Sequence, residues 1–219
     1  AQVSTPFDLV TGPLVRSHVI RLGKDHHLVL LTVHHVIADG WSCGVLLRDL
    51  GELYAARKAG TPAALEPAQQ LGDFINFMRD PEQVEARAEA RDYWVKLYDG
   101  ALQRVEFPSD RPRPQRRDYS ARRLEIQLDP AVVANLRRVG RDSGTTLFAS
   151  LIGGFAAYLT RLTGIADNPI GFSAAGQPLL GGKGLVGHCV NFLPLRLSTD
   201  LDGGFGTHLR GIGASVLDA

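Results

Sequence analysis

The chain has 219 residues, 44% of them hydrophobic and 21% charged, an ordinary balance for one large globular domain or two small ones. Its 24 basic and 23 acidic residues leave a formal charge of +1, which offers no field suited to nucleic acid or an anionic membrane. No run reaches the roughly 18 apolar residues of a membrane span and no basic-then-apolar leader opens the chain, so a cytoplasmic protein is expected.

The chain opens on Ala1 rather than Met and closes in the helical-looking "HLRGIGASVLDA", so both ends read as cuts. "PLVRSHVIRL" (Pro13–Leu22) and "HLVLLTVHHV" (His27–Val36) flank the turn signal "GKDH", which predicts an antiparallel hairpin. The second strand is almost continuously apolar and is expected to be central, buried on both faces. His26 and His27 fall in the hairpin turn and should face solvent. After "ADGWS" the period becomes helical: Val45, Leu46, Leu47, Leu50, Leu53 and Tyr54 recur on one side, with Ser42 as the expected N-cap and Gly60 as the stop. Two further helices are predicted over Pro67–Met78 and Pro81–Tyr98, the second ending at Gly100.

"EFPSDRPRPQRRD" (Glu106–Asp118) is rich in Pro and Arg and has no hydrophobic period. It reads as a solvated linker between a first lobe, residues 1–105, and a second, 119–219. In the second, "ARRLEIQL" (Ala121–Leu128) reads as a strand, and Asp129 with Pro130 opens a helix. "TTLFASLIGGFAAYLTRLTG" is apolar nearly all round and is expected to be deeply buried. The last third holds two short strands around a glycine-rich loop. The order β-β-α-α-α, linker, β-α-α-β-β predicts mixed α/β layers in two lobes.

The chemistry-bearing stretch is "HHVIADGWS", His34 to Ser42. On a strand, adjacent side chains face opposite ways, so His34 and His35 cannot share one role: one packs while the other looks into a cleft. An imidazole titrates near neutrality and serves readily as a proton acceptor. Asp39 could fix the turn, cap the amides of Trp41 or Ser42, or pair with a distant arginine, and Gly40 permits a backbone angle that other residues resist. By itself the pattern admits an ordinary strand-to-helix turn as readily as an acid–base centre. A zinc site fits less well, because adjacent histidines diverge and no Cys or carboxylate stands at a ligand interval. Cys43 and Cys189 are expected as reduced, buried, small hydrophobes. Ser42 and Ser173 lack a nucleophile-elbow context, and "GQPLLGGKG" (Gly176–Gly184) matches no phosphate cradle and reads as a flexible loop near a cleft.

Four landmarks in order then resemble the condensation domain of nonribosomal peptide synthetases. "HHVIADGWS" fits the family's H-H-x-x-x-D-G core, "YWVKLYDG" (Tyr93–Gly100) its Y-W-x-x-x-L motif, and "FPSDRPRP" the stretch that follows. "IGFSAAGQP" and "GLVGHCVNFLPLR" (Ile170–Arg196) resemble the later I-G-x-x-x-x-G and V-G-x-x-V-N segments. The wording "VGHCVNFLPLR" also resembles condensation domains of hybrid polyketide–peptide assembly lines.

The resemblance implies an α/β fold like that of chloramphenicol acetyltransferase, two lobes in a V with a tunnel between them. It implies attack of a carrier-bound aminoacyl amine on a carrier-bound acyl or peptidyl thioester. The 4'-phosphopantetheine arms come from donor and acceptor carrier proteins, with adenylation or polyketide synthase modules as neighbours. The domain itself is expected to bind no cofactor and no metal, and to engage neither nucleic acid nor membrane. His35 matches the catalytic histidine, which accepts the amine's proton or positions the amine and stabilises the tetrahedral species. His34 is expected beneath it, Asp39 as the orienting aspartate, and Gly40 as an amide facing the oxyanion. Asn191 is expected near the tunnel floor, and Tyr93, Trp94 and Leu97 at the lobe junction.

The family's early arginine-bearing motif would lie upstream of Ala1, leaving Arg16 as the substitute partner for Asp39, and the end of the second lobe would lie beyond Ala219. The implied activity therefore belongs to the parent domain rather than to the isolated piece. An epimerisation domain or a freestanding acyltransferase can share the histidine core, and a non-catalytic carrier-docking domain is the third reading. The retained "GLVGHCVNFLPLR" favours condensation, and the intact histidine core disfavours heterocyclisation.

Overall fold

The computed structural model describes residues 5–100, 103, 105–112, 114–116, 121–181, 184–200 and 202–219. Its contacts divide the chain into two compact units, residues 1–90 with 173–191, and residues 91–172 with 192–219.

In the first unit, β1 (Val15–Arg21) and β2 (His27–Val33) form an antiparallel hairpin with Val15 opposite Val33 and Arg21 opposite His27. The turn closes where Leu22 N and Gly23 N both donate to His26 O, at 2.8 and 3.0 Å. His26 is exposed in that turn, whereas His27 already opens β2. The expectation of a doubly buried central strand is not met. Among the described residues the hairpin forms a sheet of two strands, and Leu28, Val29, Leu30 and Leu31 are exposed. Apolar content alone does not report which face a neighbouring layer covers.

Helix α1 (Gly40–Ala59) follows, then α2 (Leu71–Met78) and α3 (Pro81–Leu97). The cap of α1 is Asp39 and not Ser42: the Asp39 carboxylate accepts from Ser42 N at 3.0 Å, so Ser42 is the third helical residue. Gly60 ends the helix in the left-handed region (φ 69°), where an L side chain would be strained. Helix α2 starts four residues later than its periodicity suggested, because the Asp73 carboxylate accepts from Gln70 N (3.0 Å) and closes the N-terminus there.

In the second unit, Tyr93 and Trp94 pack edge to face at 5.2 Å. Segment 106–118 forms neither helix nor strand where it is described; residues 113, 117 and 118 lie outside the described residues. The expected strand Ala121–Leu128 does not form. Its alternating Leu124, Ile126 and Leu128 are exposed, and a strand without a hydrogen-bonding neighbour is only an extended segment. Helix α4 (Pro130–Asp142) begins as predicted, with Asp129 accepting from Ala131 N at 2.7 Å and Pro130 in the first turn.

Helix α5 (Leu147–Thr163) is buried on one side only. Ala149, Ile152, Ala156 and Leu159 enter the core, while Phe148, Leu151, Phe155, Tyr158 and Leu162 form an exposed stripe, which corrects the expectation of all-round burial. The covered side meets β4 (Val190–Ser198) and α6 (Phe205–Leu217) through Leu195, Leu197 and Ile212. Strand β4 pairs with β3 (Asp167–Ala175), and Arg196 ties them with a forked ion pair to Asp167, at 2.6 Å from Nη2. The layers are mixed α/β. Among the described residues no helix is long and apolar enough to cross a membrane.

Candidate active site

Strand β2 ends at Val33 and the chain turns at once: His34 N donates to Leu14 O (2.9 Å) and Ile37 N to His34 O (3.1 Å). Both histidines therefore sit in the turn rather than on the strand, and pleat alternation does not separate them. The turn does. The half-buried His34 stands edge-on to Phe7 (5.5 Å between ring centres), and its Nδ1 accepts from Val36 N at 3.1 Å. His35 is exposed, and its Nδ1 lies 3.0 Å from Nδ1 of His188. That same His188 nitrogen is 2.6 Å from the backbone oxygen of His35.

Asp39 is buried beneath this turn, 4% exposed. Oδ1 accepts from Ser42 N (3.0 Å) and lies 2.9 Å from the Ser42 hydroxyl. Oδ2 accepts from Gln177 Nε2 (2.7 Å) and Cys189 N (3.0 Å). Burial pushes the Asp39 carboxyl up, but these hydrogen bonds outweigh it and hold it at about 2 against the ordinary 3.8. The carboxylate thus bolts the start of α1 to the distant segment 176–189. Ser42 strengthens the joint, taking a hydrogen bond from Gly187 N at 3.1 Å.

Arg16 is not the partner of Asp39. Its guanidinium donates to Thr5 O and Pro6 O and stacks on Phe7, 3.9 Å from the ring centre. The uncharged Gln177, fully buried, occupies the place at the carboxylate.

Gly40 is the first residue of α1 and does not adopt positive φ, contrary to the expectation of an unusual backbone angle. Among the described residues, nothing beyond its chain neighbours and the backbone of its own helix lies within 4 Å of where its Cβ would stand. Its amide belongs to the first turn of the helix, whose N–H groups have no partner inside the helix. Beside it, Gly40, Trp41, Gly44, Val45 and Arg48 line an open cavity of about 380 Å³. Cys189 is buried but Cys43 is exposed, so only one of the two cysteines fits the sequence expectation. Burial raises the Cys189 thiol, and the neighbouring Asp39 charge raises it further, so it stays a thiol near neutrality.

Within the glycine-rich segment, Gln177–Leu180 form a short 3-10 helix, while residues 182 and 183 lie outside the described residues. Asn191 is exposed near the start of β4, two residues past the Cys189 amide that grips Asp39. The structure thus gathers His34, His35, Asp39 and Gly40 between the end of β2 and the first residue of α1 and adds Gln177, Gly187, His188 and Cys189. Those additions lie 138 to 153 positions from their partners, where no local pattern could reveal them. Among the described residues, no three His, Cys, Asp or Glu side chains converge as a metal site would require.

This architecture, with an H-H-x-x-x-D-G turn capping a long helix, is that of the chloramphenicol acetyltransferase-like fold. The first condensation domain of the CDA synthetase superposes with a TM-score of 0.74 at 23% identity, over 93% of this chain and 45% of that one. The X-domain from teicoplanin biosynthesis superposes with a TM-score of 0.82 at 24% identity, over 99% of this chain and 50% of that one. The family model of the condensation domain matches residues 1–219, and the chain belongs to that family. A component of the linear gramicidin synthase of Brevibacillus parabrevis is 37% identical over 203 residues, covering 92% of this chain and 4% of that protein. Malpibaldin synthetase of Mortierella alpina is 38% identical over 205 residues, covering 93% of this chain and again 4% of the relative. The chain therefore spans a small part of these synthetases and about half of the solved chains it resembles.

Proposed function

We propose that this chain is part of a domain that forms amide bonds between two carrier-bound substrates in nonribosomal, or hybrid polyketide–peptide, biosynthesis. The amine of an aminoacyl thioester on the acceptor carrier attacks the acyl or peptidyl thioester on the donor carrier. A C–N bond forms, the C–S bond breaks, and the donor's phosphopantetheine leaves as a thiol with the proton the amine gives up. The observation that carries this reading is the exposed His35 set on a turn whose geometry the buried Asp39 holds from below. A fold hosts many chemistries, so the assignment rests on this site and on membership of the family.

In this reading His35 is the catalytic residue, and it positions the amine and stabilises the tetrahedral species or takes its proton. His34 supports the turn through Phe7 and Val36. Asp39 aims the turn, the Gly40 amide faces the developing oxyanion, and Asn191 contacts substrate at the tunnel floor. The carrier arms are substrates, so the domain needs no resident cofactor or metal. Adenylation or polyketide synthase modules are the neighbours such a domain serves, in the cytoplasm.

The test uses the full-length protein with donor and acceptor carriers loaded with candidate substrates, and intact-mass measurement of the acceptor carrier. Condensed thioester should form with the wild type and fall by at least about a hundredfold with His35→Ala. Equal product from both would remove His35 from the chemistry. Chiral analysis of the carrier-bound amino acid separates condensation from epimerisation.

A further inference from the structure

We infer that His188 is a positioning residue that holds His35 in the tautomer protonated on Nε2, so that His35 meets the substrates as a hydrogen-bond donor. The inference builds on the amide-forming reading and names the partner that sets the role of its central histidine.

His188 Nδ1 lies 2.6 Å from the backbone oxygen of His35, and a carbonyl oxygen only accepts, so Nδ1 of His188 carries a hydrogen. The same nitrogen is 3.0 Å from Nδ1 of His35. Two N–H groups cannot face each other at that distance, so Nδ1 of His35 presents its lone pair and shares the His188 hydrogen. A neutral imidazole has one N–H, which for His35 then resides on Nε2. Among the described residues none bonds to Nε2 of His35, which leaves that N–H free for a ligand.

His34 is set by the same logic, since its Nδ1 accepts from Val36 N. The two adjacent histidines are thus locked in one tautomer by different donors, one from the local backbone and one from 153 residues away. His188 is itself exposed, but its neighbours are not: Gly187 and Cys189 are buried and bound to Ser42 and Asp39. The Asp39 joint therefore delivers His188 to His35.

The chemical consequence concerns the proton. With Nδ1 engaged and Nε2 protonated, neutral His35 has no lone pair to offer the attacking amine. Its Nε2–H instead stabilises the oxyanion formed when the amine adds to the thioester carbonyl. When the tetrahedral species collapses, the C–S electrons leave with sulfur, and the ammonium proton passes to that thiolate, directly or through water. Atoms and charge balance without a histidine base.

The experiment is nitrogen NMR of the full-length protein labelled with ¹⁵N-histidine, with the His35 signals assigned by their loss in His35→Ala. The wild type should show a pyridine-like Nδ1 and a proton-bearing Nε2 on His35, with the reverse on His188. In His188→Ala the His35 signals should shift toward a mixture of tautomers. In His188→Asn, whose amide N–H replaces the lost donor, they should return. A proton on Nδ1 of wild-type His35, or an unchanged tautomer in His188→Ala, overturns the inference.

Kinetics read the consequence: kcat for amide formation should fall about tenfold or more in His188→Ala at unchanged KM for the carriers, and recover in His188→Asn. Equal loss in both variants marks a packing role and overturns it as well. Should the wild type hold the tautomer yet form no amide, the tautomer inference stands and the amide-forming reading falls. Amide formation with the opposite tautomer rejects the role of His188 alone.

Discussion

At the residue scale, Asp39 is the point on which the site's geometry turns. Its carboxyl sits at about 2 instead of 3.8 because the folded state surrounds the carboxylate with donors. A depressed carboxyl contributes stability that is full above the unfolded value and is lost as pH falls through the folded one. Stability from this group should therefore decline between about pH 4 and pH 2, by about 2 kcal/mol in total. Acid titration of the unfolding midpoint, compared with Asp39→Ala, measures it: the pH slope in that window should flatten in the variant. At neutral pH the variant should lose about 2–4 kcal/mol, since donors on Ser42, Gln177 and Cys189 are left buried without an acceptor. The aspartate was legible in the sequence, with capping as one of three roles open to it, although the cap position itself was expected at Ser42. Its partner was not, because an amide side chain 138 residues away carries no local signal.

At the scale of elements, two glycines show how the same residue serves different ends. Gly176 has an ordinary backbone (φ −85°), yet a Cβ there would stand 2.5 Å from the carbonyl oxygen of Cys189 and 3.1 Å from Phe74. Gly176 N donates to that same oxygen, so the contact is the joint that aligns segment 176–189 under Asp39. Gly176→Ala should destabilise by about 1–3 kcal/mol and slow amide formation, as read by a urea midpoint and by product mass. Gly154, inside α5, has no described atom within 4 Å of its Cβ position beyond its chain neighbours and its own helix backbone, so Gly154→Ala should stabilise by about 0.5–1 kcal/mol. Caps and breakers such as Asp129, Pro130 and Gly60 could be located from sequence because their physics is local. Ala121–Leu128 misled for the opposite reason: alternation signals a strand's faces, but only a neighbour makes the strand.

At the scale of the whole molecule, the exposed stripe on α5 is the largest departure from a sequence reading of burial. Phe148, Leu151, Phe155, Tyr158 and Leu162 recur every three or four positions, each more than a third exposed. A second apolar face of that regularity belongs under a covering layer. The 219-residue chain on its own should therefore bind a dye such as ANS. A chain extended to the length of the solved relatives, about twice as long, should bind much less. Equal dye binding by both would show that the stripe stays open in the longer chain.

Sequence alone determined the hairpin, the order of the helices, the Asp129 cap, the Gly60 stop and the family, because each rests on short-range backbone chemistry or on a motif of fixed spacing. Tertiary structure decided the rest. It moved His34 and His35 from a strand into a turn, put Gln177 rather than Arg16 against Asp39, and brought His188 to His35. It also left one side of α5 open. Each depends on which distant segment shares a few ångströms with which, and contact across more than a hundred residues is set by packing, not by the residues on either side in the chain.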